Sequence, residues 1–259
     1  MGTDCPHCGG TGFEYEDHEG QPFARPCQCR RTPRDMDPLS ICKIPPRYAH
    51  CTLANFDLDP QNRSQVAALQ KSLNYCSGFP HKGKAEEGLG LLYVGDTGVG
   101  KTHLAVGVLK ELVSDRGVNG QYWDFMALTR EIKRSYDPDI QMTEHAVLAP
   151  VIEMDLLLLD DLGAWKMSDW MLDTLFYVLN GRYMSKRPTL ITTNFQDVDR
   201  ETALRADPLL RKEFLVERIG QRLRSRLQEM CAVLKIEGPD HRAAAQHGHQ
   251  DALTRARHS

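Results

Sequence analysis

Eight consecutive residues, Gly95-Asp96-Thr97-Gly98-Val99-Gly100-Lys101-Thr102, have the types and spacing of a phosphate cradle. They follow a short apolar run and open a helical one. The glycines let successive backbone N–H groups turn onto phosphate oxygens, at a helix N-terminus that already favours anions. In such a loop the lysine, Lys101, neutralises the β- and γ-phosphates and the hydroxyl of Thr102 ligates Mg²⁺. The stretch Gly95–His103 therefore predicts a site for Mg·ATP.

Two further clusters supply what hydrolysis needs. Four leucines, Leu156–Leu159, run into the paired carboxylates Asp160 and Asp161. A buried strand there would deliver both acids to the sheet edge that carries the loop. Asp160 is expected to hold the Mg²⁺ shell, and Asp161 to orient and deprotonate the attacking water. A nearby divalent cation would relieve the repulsion between two adjacent acids. The run Thr189–Thr193 ends at Asn194, whose amide is expected to bond the γ-phosphate or the water from the next strand over. Arg218, Arg222 and Arg226 recur at four-residue spacing, beside an apolar stripe of Ile219, Leu223 and Leu227. Such a stripe is a solvated basic face, or it supplies an arginine finger to the transferring phosphoryl group in a neighbouring subunit. The finger is the reading adopted for at least one of the three.

A separate chemistry stands at the N-terminus. Cys5 and Cys8 flank two residues and are followed by Gly9, Gly10 and Gly12, while Cys27 and Cys29 flank one. Four thiolates satisfy tetrahedral Zn²⁺, and a short segment with little aliphatic content needs such a metal to fold. The eighteen residues between the pairs could form a hairpin. His7 or His18 could replace one thiol. A redox-active pair is the alternative, but no βαβ pattern surrounds it. The site is expected to be structural. Cys42, Cys51, Cys76 and Cys231 are scattered and are expected to be ordinary buried thiols.

The elements that must position these groups follow from hydrophobic pattern. Short continuous apolar runs at 89–94, 121–125, 155–159, 189–193 and 231–236 fit parallel strands buried on both faces. Helical patterns lie between them, at about 102–116, 127–136, 168–186 and 215–229, with Ser168 as an N-cap. The alternation predicts an α/β fold, a doubly wound, five-stranded parallel sheet of P-loop NTPase type. Ligands in such sheets bind at the C-terminal ends of the strands.

The sequence of 259 residues divides into a zinc-binding segment (1–31), a proline-rich extended connector (32–60), an ATPase domain (61–242) and a polar tail (243–259) expected to be disordered. A formal charge of −3 excludes a globally basic nucleic-acid binder and leaves room for local patches only. There is no long apolar run for a membrane span and no basic-then-apolar leader, so a cytoplasmic location is expected.

Taken in order, the stretches Gly95–Ala105, Leu156–Gly163, Leu179–Asn194, Ser225–Leu227 and Glu237–Arg242 resemble AAA+ ATPases of the DnaC/IstB group. These are bacterial helicase loaders and their transposition-helper relatives. The lead-in Ile44–Tyr48 and Cys51–Phe56 is similar as well, so the resemblance spans residues 44–242. It implies that Asn194 takes the sensor 1 position and that Arg226 is the arginine finger acting in trans, with Arg222 as runner-up. It also implies a homo-oligomer that binds single-stranded DNA and delivers a replicative helicase of DnaB type, or, in the IstB branch, helps a transposase. A third reading is a nucleotide-gated adaptor with little turnover. Asp161 departs from the glutamate that many AAA+ proteins carry, and no helical lid is expected after Arg242. Lys133, Arg134 and Tyr136 stand where members of the group place DNA contacts. Some helicase loaders also carry an N-terminal zinc domain that engages the helicase.

Overall fold

Runs of residues that are apolar at every position cannot leave either face to water, and the strands behave accordingly. In the computed structural model, β3 (Gly90–Val94), β5 (Leu156–Asp160) and β6 (Thr189–Thr193) are buried at every position. With β4 (Gly120–Asp124) and β7 (Cys231–Lys235) they form a five-stranded, all-parallel sheet in the order β4-β5-β6-β3-β7. The structure describes residues 13–18, 21–26, 38–80, 88–135, 143–207 and 209–241.

The helices are α1 (Arg63–Gly78), α2 (Lys101–Arg116), α3 (Phe125–Arg134), α4 (Glu144–Glu153), α5 (Asp169–Met184), α6 (Arg200–Arg205) and α7 (Leu215–Met230). Right-handed crossovers put α2, which leads from β3 to the far edge strand β4, on one face. They put α3 to α5 and α7, whose crossovers run the other way, on the opposite face. One core fits this: Leu92, Val94, Leu157, Leu159 and Ile191 pack with Leu128, Val151, Leu175, Leu179, Ile219 and Leu227. On the other face Tyr93 meets α1, its hydroxyl 2.9 Å from Ser72 Oγ. The crossovers leaving β3 and β6 run in opposite directions, and the cleft this opens at their C-terminal ends is where such sheets bind ligands. The P-loop follows β3.

The expected strands and helices are found within one or two residues of their bounds, and Ser168 caps α5, its hydroxyl accepting from Met171 N at 3.4 Å. Three helices were not anticipated. The inward positions of α1 are Gln65, Ala68, Ser72, Tyr75 and Cys76, too polar to read as an apolar stripe; Asn62 starts it by accepting from Ser64 N and Gln65 N. α4 carries Pro150 and α6 is only six residues long, and side-chain caps from Thr143 and Asp199 open them.

The chain forms two compact units, Met1–Cys42 and Lys43–Ser259. In the first, β1 (Phe13–His18) and β2 (Gln21–Pro26) pair antiparallel from Phe13↔Pro26 to His18↔Gln21, between the two cysteine pairs. Cys5, Cys8, Cys27 and Cys29 lie outside the described residues, as do Tyr136 and residues 243–259. The other four cysteines are buried and form no disulfide with one another. The second unit begins well before residue 61. Lys110 Nζ donates to Ala49 O at 2.6 Å, and a Cβ on Gly107 would lie 2.8 Å from Leu53 N. The segment 49–53 thus crosses α2 where that helix has no side chain in the way. Among the described residues no helix is long and apolar enough to cross a membrane.

Candidate nucleotide-binding site

Parallel strands bring their C-terminal ends to one edge, and there a cavity of about 700 Å³ opens. From the P-loop it is lined by Gly98, Gly100, Lys101, Thr102 and His103, and from the strand ends by Asp160, Asp161 and Asn194. The predicted phosphate cradle, acid pair and asparagine therefore meet in one place. Gly95, Asp96, Thr97 and Val99 belong to the loop without lining the cavity; Val99 is buried beneath it. The volume suits a small-molecule ligand.

The two acids, though adjacent, point to different partners. Asp160 is 4% exposed. Its Oδ1 accepts from Thr102 Oγ1 at 2.9 Å and from Thr192 Oγ1 at 2.5 Å, and its Oδ2 accepts from the phenol of Tyr122 at 2.8 Å. Asp161 leaves the strand in the left-handed region, with φ of 59°. That costs a non-glycine residue on the order of 1 kcal/mol or more. The turn is held by Thr192 Oγ1, which accepts from Asp161 N at 2.9 Å. So rotated, Asp161 Oδ1 accepts from the amide of Asn194 at 2.7 Å. The donor set around Asp160 and Thr102 is hard oxygen only, which fits a magnesium ion held through the threonine hydroxyl and the acid. Lys101 is buried, its amine donating to Asp96 O at 2.6 Å across the loop it closes.

Residues that the sequence reading did not select complete the walls. Arg47, Tyr48, His50 and Cys51 line the cavity from the segment read as an extended connector. His103 Nε2 lies 2.9 Å from both Thr52 O and Asn55 Oδ1, and its ring meets Phe56 edge-on at 5.5 Å between centroids. Burial, more than any other cause, pushes the His103 imidazole below its usual range, so it is neutral at pH 7. From the other end of the chain, His241 N donates to Gly98 O at 3.2 Å, and a Cβ on Gly98 would fall 1.8 Å from Asp240 Oδ1. With φ of 83° and that neighbour, position 98 admits only glycine. Both groups fall in or beside stretches that carry the family resemblance, Ile44–Tyr48, Cys51–Phe56 and Glu237–Arg242, but nothing in their residue types gave them a place in the cavity.

The three arginines require a correction. Gly220 has φ of 77° and ψ of 160°, so α7 is broken there and only Arg222 and Arg226 share a continuous helix face. All three guanidiniums nonetheless stack on rings, Arg218 over Phe195 at 4.4 Å, Arg222 over Phe176 at 4.0 Å and Arg226 over Tyr183 at 4.1 Å. Arg226 also pairs with Glu229 at 3.4 Å. None of the three lines the cavity of its own chain. On α3, Lys133 and Arg134 are exposed, and Arg134 pairs with Glu131 at 3.4 Å.

Comparison with known proteins agrees with this geometry. The family described as IstB-like ATP binding protein matches residues 15–247. In Bacillus subtilis (strain 168), the uncharacterized protein YqaM is 24% identical over 215 residues, covering 81% of this chain and 61% of YqaM. The replicative helicase loader DnaI of the same organism is 26% identical over 187 residues, covering 71% of this chain and 57% of DnaI. The chain thus spans roughly six-tenths of the length of these two relatives. A crystal structure of the DnaC helicase loader superposes with a TM-score of 0.59 at 33% identity, covering 74% of this chain and 99% of that one. A phosphate loop after β3, an acid pair at the end of β5 with β6 between them, and a family match over most of the chain lead to one assignment: this protein belongs to the IstB-like ATP-binding family, with the α/β fold of P-loop AAA+ ATPases.

Proposed function

We propose that the protein is an ATP-hydrolysing motor of DNA replication that assembles on single-stranded DNA and loads a replicative helicase there. The observation that carries the hydrolytic part is the divergence of the acid pair within one cavity: Asp160 on Thr102, Asp161 on Asn194. In this reading the P-loop amides and Lys101 hold the β- and γ-phosphates. Thr102 and Asp160 hold Mg²⁺, which would neutralise charge developing on those phosphates. Asp161 accepts the proton of a water whose oxygen bonds to the γ-phosphorus as the bond to the β-phosphate oxygen breaks. Asn194 keeps the Asp161 carboxylate aimed at that water. Arg226 of a neighbouring subunit, or Arg222, stabilises the transferring group. The zinc head of Cys5, Cys8, Cys27 and Cys29 is a structural knuckle that docks the helicase.

The loading part is supported by the kinship with DnaI and DnaC, both named replicative helicase loaders. The IstB-like family match lends the same motor to a second reading, a helper of transposition. The test is the ATPase rate with and without single-stranded DNA, at several protein concentrations, and with either a DnaB-type helicase or a transposase added. Stimulation by DNA that rises more than linearly with protein, and transfer of the helicase to DNA, is the expected result. A flat rate that no DNA or partner changes would replace the motor with a nucleotide-gated adaptor. Asp161→Asn should bind ATP normally and lose at least about 100-fold in turnover, whereas Lys101→Ala should lose binding itself.

A further inference from the structure

Asp160 is held by three hydroxyls, and they do not do the same work. Thr102 belongs to the phosphate loop, and in the function proposed above it must turn a lone pair toward the cation. Thr192 is committed on its other side to the backbone N–H of Asp161. Tyr122 has neither duty. It stands on β4, where the register pairs Tyr122 with Leu158 and Asp124 with Asp160, so its ring reaches along the strands to the acid. Its phenol makes the one hydrogen bond to Asp160 Oδ2 among the described residues, at 2.8 Å and out of water. The Tyr48 ring lies 6.2 Å from it, centroid to centroid, over the same cavity.

We propose that Tyr122 is a positioning residue that fixes the rotation of the Asp160 carboxylate and thereby sets how tightly the site answers a divalent cation. With Oδ2 pinned by the phenol, Oδ1 is presented to Thr102 without any turning of the acid when the cation arrives. Deprived of that donor, a carboxylate 4% exposed is left with an unsatisfied oxygen and swings toward another partner, which removes it from the cation's shell. Partners of this outer kind change metal affinity by about 10- to 100-fold when lost. A sequence reading has no access to this, because tyrosine on a strand reads as β-propensity.

The inference rests on the magnesium role given above to Thr102 and Asp160. The experiment is a titration of Mg²⁺ against binding of a fluorescent, non-hydrolysable ATP analogue to the full chain, comparing wild type with Tyr122→Phe. Phenylalanine keeps the ring and removes only the donor. The Mg²⁺ concentration at half-maximal effect should rise about 10-fold or more, while binding in EDTA stays as in wild type. In an Asp160→Asn background, Tyr122→Phe should shift the Mg²⁺ midpoint no further. An unchanged midpoint, or an additional shift in that background, would overturn the proposal. So would an equal loss with and without Mg²⁺, which would make Tyr122 a nucleotide contact. Wild-type protein that binds the analogue with no response to Mg²⁺ would overturn the magnesium role itself, and Tyr122's part with it.

Discussion

His103 directly follows Thr102 of the P-loop, yet its ring turns away to the segment 52–56. A histidine held neutral by burial has a lowered folded-state pKa, so as pH falls below its ordinary value of about 6.5 the unfolded chain takes up a proton first. Its effect on stability is therefore level above that pH and unfavourable below it. Thermal melts between about pH 7 and pH 5 should show a larger fall in Tm for wild type than for His103→Gln. An equal fall would place the titration elsewhere. At this scale the sequence was informative wherever charge and spacing carried the chemistry. Lys101 and Thr102 were legible as cavity residues because a P-loop is rare by chance, and Asp160, Asp161 and Asn194 because they end apolar runs in a chain that carries one. Tyr122, Thr192, Tyr48 and Phe56 were not, because hydroxyls and rings on strands and loops have a dozen ordinary uses, and only the three-dimensional neighbour tells them apart.

Among the elements, the clearest mechanical device is Arg182 of α5. It is fully buried, and its guanidinium donates to Val151 O, Ile152 O and Met154 O at the end of α4, to Pro188 O and to Thr189 Oγ1. Burial pushes it down to about 9, which leaves it protonated at neutral pH. A cation here satisfies the last carbonyls of α4 and favours that helix end. It also ties together the starts of β5 and β6, whose far ends hold Asp160 and Asn194. Arg182→Ala should cost more than about 3 kcal/mol, since it orphans several buried carbonyls and leaves a void. Chemical denaturation would measure it, and a loss within about 0.5 kcal/mol, typical of a surface position, would refute the clamp. The strands were readable because their apolar runs are unbroken. The helix α1 was hidden by its polar inner face, and the break at Gly220 was hidden within an otherwise regular stripe of four-residue spacing.

For the whole molecule, the distance of the α7 arginines from their own cavity is what an assembly must make good. Arg222 and Arg226 rest on Phe176 and Tyr183, stacked and ready on a surface away from the site they are proposed to serve. Arg226→Ala should lower turnover by about 1,000-fold or more while a monomer still binds ATP. Mixing it with Lys101→Ala, which brings an intact finger and a dead site, should restore activity. No recovery at high protein concentration would show that the finger does not act between subunits; Arg222→Ala, treated alike, identifies which of the two is used.

The interior position of β3 also dictates an order of events during synthesis. The strand that leads into the P-loop pairs with β6 on one side and β7 on the other, and both are made long after it. Beyond β7, the carbonyl of Glu237 is gripped by Asn62, a partner 175 residues earlier, and His241 closes on Gly98. A chain emerging from the ribosome therefore carries its phosphate loop without β7 beside β3 and without His241 on Gly98 until residues 231–241 arrive. The complete set of cavity walls therefore exists only once residues 231–241 have been made.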